Sequence, residues 1–402
     1  MRNRLEAISK PVSVTSCRGP LIVELLGDRM SPIRNEFSKS PLSVFAMVVV
    51  ALGTVLGVLA ERGLSAEGPV KVFVLAGQSN MQGDGRIGPV ETPGTLEYQV
   101  KSSPDSDRYQ HLVNGDGTWC TRKDVWFYQR TGKKTGTGVA QKVEFTDVAK
   151  SLTVGLAGTA DKPKIGPELQ FGHVVGEHFD SQVLVIKTAW GGKSLACDFR
   201  PPSAGELPVD SSSKLGNSIA DGSVEVGFYY RQMLADVKQV LDNLEQYFPN
   251  YEGQGYEIVG FGWHQGWNDG CDAAFSDEYG ANLQHFITDI RRDFGVKDLP
   301  IVVASSGFGG HDEKLPGVRA RIKKVVEPAQ IAVSARTKNV TCVETRDFFQ
   351  PREASPTGAS YHWNSNAGTY FMIGDSMGKA MLQLLNQCSE IKRHSLKQDK
   401  RR

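Results

Sequence analysis

Four short segments of this 402-residue chain contain side chains that could carry out acyl transfer. A serine hydroxyl is a poor nucleophile until a base removes its proton, so Ser79 would need a histidine beside it. Backbone N–H groups at glycines and a side-chain amide could hold the oxyanion of a tetrahedral intermediate, and Gly191, Gly192 and Gln265 are candidates for this. The four segments are residues 77–81 (GQSNM), 190–194 (WGGKS), 263–269 (WHQGWND) and 360–364 (SYHWN).

The elements around these segments would bring them to one edge of a sheet. Nearly continuous apolar strands that alternate with amphipathic helices predict an α/β fold, a three-layer sandwich whose mostly parallel sheet is covered on both faces. Ligands bind at the carboxyl ends of such strands, and each segment follows a predicted strand. The predicted strands are 70–76, 183–189, 256–263, 299–305 and 339–344, and the helices are 168–179, 226–248, 275–294 and 364–388.

Another segment resembles a nucleophile motif but lacks its context. Residues 374–378 (GDSMG) match the pattern G-x-S-x-G, which requires a strand immediately before the serine. Here the pattern lies inside a predicted amphipathic helix. We therefore expect Ser376 to be a packing or surface residue.

The two ends of the chain are predicted to lie outside the folded domain. Residues 1–68 are expected to be a leader, because residues 42–60 are apolar and uncharged, as in a signal-peptide core or a membrane anchor. Either alternative predicts an exported protein, periplasmic, extracellular or anchored with its domain facing outward. Residues 391–402 are predicted to be a basic, disordered tail. The net charge of +1 favours neither nucleic acid nor an anionic membrane surface as a partner.

Export also bears on the cysteines. In a compartment that permits disulfides, Cys197 and Cys271 are the best candidate pair, because each closely follows one of the four segments. The alternative is that both are simply buried thiols.

In this order, the motifs GQSNM, WGGKSL, WHQGWND and YHWN resemble those of the SGNH-hydrolase superfamily. The most similar branch is the sialate O-acetylesterase-like group, which includes the acetylxylan esterases of carbohydrate esterase family six. The resemblance implies a flavodoxin-like sandwich that removes acetyl groups from sugars, such as acetylated xylan or sialic acid-type substrates, without a metal or other cofactor. It implies that Ser79 is the nucleophile and His362 the general base. It also implies three oxyanion donors, the N–H of Ser79, Gly192 and Gln265.

The resemblance covers roughly residues 71–385, and we expect an esterase domain at residues 69–390 with a long insertion at 91–164. This stretch is rich in glycine, aspartate, lysine and threonine and does not follow the strand–helix alternation. We expect it to lie near the site, with a small hairpin, rather than to form a separate domain.

One position departs from the family pattern. The family usually has an aspartate three residues before the histidine, and this chain has Ala359 there. Either the enzyme works with a serine–histidine dyad, or an acid comes from elsewhere. Glu353 and Asp347 precede His362 on the same predicted loop and are the candidates, although a surface charge and a strand-end cap are equally good interpretations.

Other residues of the four segments are candidates for contact with the substrate. The tryptophans at positions 190, 263, 267 and 363 could form a platform on which a sugar stacks, or could close the core beneath the loops. The candidate contacts are Gln78, Asn80, Gly191, His264, Asn268 and Trp363.

Two other functions fit the same residues. Ala359 would suit a carbohydrate-binding protein that kept the scaffold and lost turnover. A serine esterase of longer acyl esters, such as a lipase, would use the same chemistry on another substrate.

Overall fold

A computed structural model describes residues 68–135, 142–159 and 161–399, all within one compact unit, Leu64–Arg402. The predicted leader, apart from Gly68, lies outside the described residues. No described helix is long and apolar enough to cross a membrane. The strands are β1 (Val70–Gly77), β2 (Gly85–Arg86), β3 (Thr121–Thr135), β4 (Lys142–Thr153), β5 (Ala157–Thr159), β6 (Lys162–Ile165), β7 (Val183–Ala189), β8 (Tyr256–His264), β9 (Ile301–Ala304) and β10 (Val340–Val343).

The structure has helices at each of the four predicted amphipathic segments, 168–179, 226–248, 275–294 and 364–388, and adds others that the sequence did not predict. Short helices follow β1 and β8 directly, and the long helices cover the sheet. They are α1 (Ser79–Gln82), α2 (Leu96–Lys101), α3 (Glu168–Gly176), α4 (Lys214–Ala220), α5 (Phe228–Asp242), α6 (Leu244–Tyr247), α7 (Trp267–Gly270), α8 (Ala273–Asp293), α9 (Gly317–Arg321), α10 (Glu327–Arg336) and α11 (Ala367–Asp399).

The main sheet has seven strands in the order β10-β9-β8-β1-β7-β3-β4. All neighbouring strands are parallel except β3 and β4. The five strands that the sequence predicted are β7, β1, β8, β9 and β10, and their spatial order is that of flavodoxin-like sheets. The predicted three-layer α/β sandwich with a mostly parallel sheet is confirmed.

Helices cover both faces of the sheet. Side chains alternate between the two faces along a strand. On β8, an added Cβ at Gly260 would contact Met381 of α11, whereas the ring of the next residue, Phe261, lies 6.0 Å from Phe286 of α8. The helices α11 and α8 therefore pack on opposite faces. The core is built from buried strands such as β7, all of whose residues are buried.

The insertion extends the main sheet and adds a second one. Its strands β3 and β4 form a long antiparallel hairpin. Strand β3 pairs in parallel with β7, the strand that would form the edge of the sheet without the insertion. Its strands β5 and β6 join β2, which follows α1, in a three-stranded sheet. The insertion thus contains a hairpin that is long, not small as predicted, and it is integrated into the sandwich.

Two features differ from the sequence predictions. The final helix continues to Asp399, into the basic segment that was predicted to be disordered. The described cysteines are all free, with Cys197 buried and Cys271 exposed, so the predicted pair is not formed. The motif GDSMG lies within α11, as expected from its amphipathic context.

Candidate active site

Ser79 and His362, which are 283 positions apart in the chain, line the same pocket of about 300 Å³ at the carboxyl edge of the sheet. Ser79 is the first residue of α1, directly after β1. The turn between them requires glycine: Gly77 has φ +153°, and an added Cβ would lie 2.2 Å from the carbonyl oxygen of His264. The sharp turn therefore presents the serine hydroxyl at the end of the strand.

A left-handed turn presents His362. The three residues that follow it, Trp363, Asn364 and Ser365, have φ of 51°, 55° and 58° although none is glycine. Such backbone costs on the order of 1–3 kcal/mol per residue and persists only where contacts hold it. The contacts are present: the Asn364 N–H donates to the Ala359 carbonyl at 3.0 Å, and its side-chain amide donates to the Gln350 carbonyl at 2.9 Å.

The loops that carry Ser79 and His362 are joined by hydrogen bonds. Asn80, next to the serine, donates its amide to the carbonyl of Tyr361 at 3.0 Å. The buried Tyr370 hydroxyl donates to Asn80 Oδ1 at 2.8 Å and lies 3.3 Å from the His362 carbonyl. The residue after the serine therefore sets the position of the histidine loop. Asn80 is a buried positioning residue and not the substrate contact that we predicted.

The Gly191–Gly192 segment forms the side of the pocket next to Ser79. An added Cβ at Gly191 would lie 3.7 Å from Ser79 Cβ, so the backbone passes close to the serine. Gly192 has φ +71° and lines the pocket. The following loop is anchored by the buried Asp269, whose oxygens accept from the N–H groups of Leu195 and Ala196 at 2.8 and 2.9 Å. Burial raises the pKa of Asp269 to about 7, while these hydrogen bonds lower it.

Replacing Asp269 by alanine is expected to destabilise this loop. The substitution leaves two buried N–H groups and the Gln265 amide without their acceptor, and each unsatisfied donor costs about 1–3 kcal/mol. We expect a loss of about 3 kcal/mol in the free energy of unfolding by urea denaturation, together with a lower kcat. Asp269→Asn, which keeps one acceptor oxygen, should lose less. An alanine variant as stable and as active as the wild type would show that the loop needs no such anchor.

Gln265 does not reach the pocket. Its side-chain amide donates to the Lys193 carbonyl at 3.0 Å and to Asp269 Oδ2 at 2.5 Å, and the residue is buried. Both amide hydrogens are therefore used in tying the WHQGWND segment to the loop after Gly192. The prediction that Gln265 is the third oxyanion donor is not supported, because neither hydrogen is left to bind an oxyanion.

Both acids predicted to orient His362 lie elsewhere. Glu353 is exposed, and the exposed Asp347 pairs with His311 at 2.6 Å. The carboxylate nearest to His362 in the described structure belongs to Asp84, with 3.7 Å between Asp84 Oδ2 and His362 Nδ1. Sequence reasoning missed Asp84, although its place five residues after the serine was an available signal.

Most of the predicted substrate contacts are buried beneath the pocket. Gln78 accepts from the N–H groups of Gly266 and Asn268 at 3.2 and 3.3 Å, and so joins the loops after β1 and β8. His264 is fully buried, and burial lowers its pKa to about 4. Asn268 is partly buried and, like His264, does not line the pocket. Among the predicted contacts, only Gly191 lines it.

The tryptophans mainly close the core. Trp190, Trp263 and Trp363 are buried, which favours the second of the two alternatives, closure of the core beneath the loops, over a sugar platform. Trp267 is partly buried, and its ring lies 5.8 Å from that of Tyr361, which is 47% exposed. This last pair presents an accessible aromatic surface next to His362.

Several solved structures match this chain at low sequence identity. A protein from Arabidopsis thaliana is 16% identical, with 78% of this chain and 98% of the other covered and a TM-score of 0.43. NanS is 12% identical, with coverages of 80% and 98% and a TM-score of 0.44. A carbohydrate acetylesterase from Xanthomonas citri is 14% identical, with coverages of 77% and 55% and a TM-score of 0.43. A search of curated proteins finds no match.

A mostly parallel sheet in flavodoxin-like order, with Ser79 and His362 lining one pocket at its carboxyl edge, is the arrangement expected of an SGNH-type hydrolase. Residues 69–383 match the family described as "Carbohydrate esterase, sialic acid-specific acetylesterase". The chain belongs to this family of carbohydrate esterases and is a carboxylic ester hydrolase.

Proposed function

We propose that this protein removes O-acetyl groups from carbohydrates through a covalent acyl-enzyme, with Ser79 as the nucleophile and His362 as the general base. The observation that supports this proposal is that both side chains line one pocket with Gly191 and Gly192. The hydrogen bonds of Asn80 and Tyr370 hold the serine and histidine loops together. The acetylated sugars of xylan or of sialic acid type are the substrates that we propose.

The proposed reaction has two steps. As the Ser79 oxygen attacks the acetyl carbonyl carbon, His362 takes the hydroxyl proton. The tetrahedral intermediate then collapses, the bond from the carbonyl carbon to the sugar oxygen breaks, and the imidazolium returns the proton to that oxygen. In the second step water attacks the acyl-enzyme, and His362 takes a proton from the water. Collapse releases acetic acid, and the proton passes back to Ser79.

Two backbone donors would stabilise the oxyanion. Within the described residues, the N–H groups of Ser79 and Gly192 donate to no protein acceptor. Ser79 is the first residue of a helix, where the N–H has no partner within the helix. Removing one oxyanion donor commonly costs a factor of about 10²–10³ in kcat, so two donors are a substantial part of the rate.

A fluorophosphonate probe tests the proposed function directly. The probe should attach covalently to Ser79, because attack at phosphorus needs the same activated hydroxyl and mimics the tetrahedral intermediate. Peptide mapping by mass spectrometry should locate the adduct at residue 79. Ser376, in the GDSMG segment of α11, is the internal control and should remain unmodified. A protein that binds sugars without turnover would give no adduct and would not hydrolyse p-nitrophenyl acetate.

The acyl preference separates the acetylesterase from an esterase of longer chains. We expect acetyl esters to be preferred, because an acyl pocket matched to acetate penalises each methylene that it cannot accommodate. The corresponding measurement is kcat/KM for acetyl and octanoyl esters of one leaving group. A preference for octanoyl would redirect the proposal to a lipase-like substrate.

A further inference from the structure

An acidic residue lies beside the histidine on the loop that also carries the serine. Asp84 follows α1, and its side chain is only 13% exposed. Asp84 Oδ2 lies 3.7 Å from His362 Nδ1 and accepts a hydrogen bond from Ser365 Oγ at 2.6 Å. The ammonium group of Lys164 pairs with Asp84 Oδ1.

We propose that Asp84 is the positioning residue that orients His362 and that Lys164 holds Asp84 in place. The inference rests on the proposed function, since it assumes that His362 is the base. It gives Asp84 the part that an acid at position 359 would play in the D-x-x-H pattern. The carboxylate then comes from the nucleophile loop instead of the histidine loop.

The position of Asp84 fits an ion pair with His362 that could shorten when the substrate binds. A distance of 3.7 Å is longer than a hydrogen bond, but catalytic hydrogen bonds are often long before the substrate binds. A carboxylate facing Nδ1 favours the tautomer with its proton on that nitrogen, which leaves Nε2 as the basic nitrogen. The same carboxylate stabilises the imidazolium that forms when Ser79 gives up its proton.

Lys164 comes from β6, at the end of the insertion, and it lines the pocket together with Gly158 of β5. Its ammonium group pairs with Asp84 Oδ1, whereas the Ser365 hydroxyl donates to the other carboxylate oxygen, Oδ2. The three-stranded sheet of β2, β6 and β5 therefore brings a cation to the acid. This gives part of the insertion a role in the site.

The charges of Asp84 and Lys164 shift the pKa of His362 in opposite directions. Burial lowers the pKa of His362, the Asp84 carboxylate raises it, and the Lys164 ammonium lowers it further. The other groups facing His362 are the Tyr361 ring, 4.6 Å away, and the Tyr370 hydroxyl at its carbonyl. No other charged group of the described residues pairs with His362. Activity requires neutral His362 and so decreases as the pH falls through its pKa.

Asp84→Asn and Lys164→Met should therefore shift the acidic limb of the pH–kcat profile in opposite directions. Asp84→Asn removes the negative charge that raises the pKa of His362, so the acidic limb moves to lower pH. It also reduces kcat by about 10³–10⁴-fold, because asparagine no longer favours the productive tautomer of His362. KM should change little. Lys164→Met moves the limb to higher pH. Asp84→Glu, which keeps the charge, should recover part of the lost kcat.

The experiment measures kcat and KM for an acetyl ester across the pH range, with thermal unfolding as a check on folding. Asp347→Asn and Glu353→Gln are matched controls, since these exposed acids do not contact His362, and they should behave as the wild type. If Asp84→Asn does not fold, Asp84→Glu decides: glutamate keeps the charge but displaces the carboxylate from His362 Nδ1, so kcat should fall below that of the wild type, and an unchanged kcat would contradict the role of Asp84.

The outcomes separate this inference from the proposed function. Wild-type kcat and an unmoved limb in Asp84→Asn, with Ser79→Ala inactive, would overturn the role of Asp84 and leave the serine mechanism intact. Limbs that move in the same direction in both variants would also overturn it. Full activity in Ser79→Ala would instead refute the proposed function.

Discussion

Replacing Ser79 by alanine is expected to lower kcat for acetate release by at least about 10⁴-fold. The side chain lost is the only part of the proposed machinery that forms a bond to the acetyl group, and loss of such a serine leaves only the rate supplied by binding and the oxyanion donors. Acetate released from an acetylated sugar is the measurement. The residual rate then estimates what the backbone donors achieve without a nucleophile.

The fold should tolerate this substitution. Within the described residues the Ser79 hydroxyl makes no hydrogen bond to the protein, so alanine removes no stabilising contact. We expect unchanged thermal unfolding. Ser376→Ala is the matched control, because it removes a hydroxyl from the GDSMG segment in α11, and it should keep full activity. Turnover that survives in Ser79→Ala but is lost in Ser376→Ala would reverse the assignment.

Replacing Glu168 by glutamine is expected to lower the free energy of unfolding by about 3–5 kcal/mol. Glu168 of α3 and Lys187 of β7 form an ion pair at 2.9 Å, and their side chains are 2% and 0% exposed. Glutamine keeps the shape but leaves the lysine charge uncompensated in the core. Burial already lowers the pKa of Lys187, so the charged form depends on its partner. Urea denaturation measures the loss.

Two further variants identify the cause of this loss. Asp242→Asn removes one charge from the exposed pair Lys238–Asp242 and should change stability by less than about 1 kcal/mol. The double variant Glu168→Met with Lys187→Met removes both buried charges and should recover much of the stability. If Glu168→Gln costs no more than Asp242→Asn, the buried pair contributes little to stability.

The buried pair also supports the site. Lys187 Nζ donates to the carbonyl of Gln82 at 2.8 Å, at the end of the helix that begins with Ser79. We therefore expect Glu168→Gln to reduce activity as well as stability. The hydrogen bond from Lys187 to Gln82 thus links the buried ion pair to the helix that carries Ser79.

The strands and the place of the reactive loops could be predicted because they depend on local patterns, whereas the flavodoxin-like order of the strands was implied only by the family resemblance. A run such as 183–189 is apolar enough to require burial on both faces, which predicts a parallel strand between helices. Carboxyl ends of parallel strands meet at one edge, so the segments with Ser79 and His362 had to converge. Gly77 and the two glycines at 191 and 192 were recognisable as turn residues.

Which side chains are buried, and which groups they contact, could not be predicted in the same way. A tryptophan such as Trp363 and an amide such as Gln265 have the same chemistry at a pocket wall as in the layer beneath it. Only the packing of loops from β7, β8 and β10 shows that both are below the surface. The flexible side chains of Glu353 and Asp347 looked close to His362 because they are close in the chain.

The sequence by itself determined the fold class and the two loops that supply the serine and the histidine, because hydrophobic periodicity and turn glycines act over a few residues. Only the tertiary structure decided that Asp84, and not a residue near position 359, lies beside His362, and that Lys164 reaches that acid from the end of the insertion. Charge interactions depend on distance in space, and 278 positions separate Asp84 from His362 in the chain.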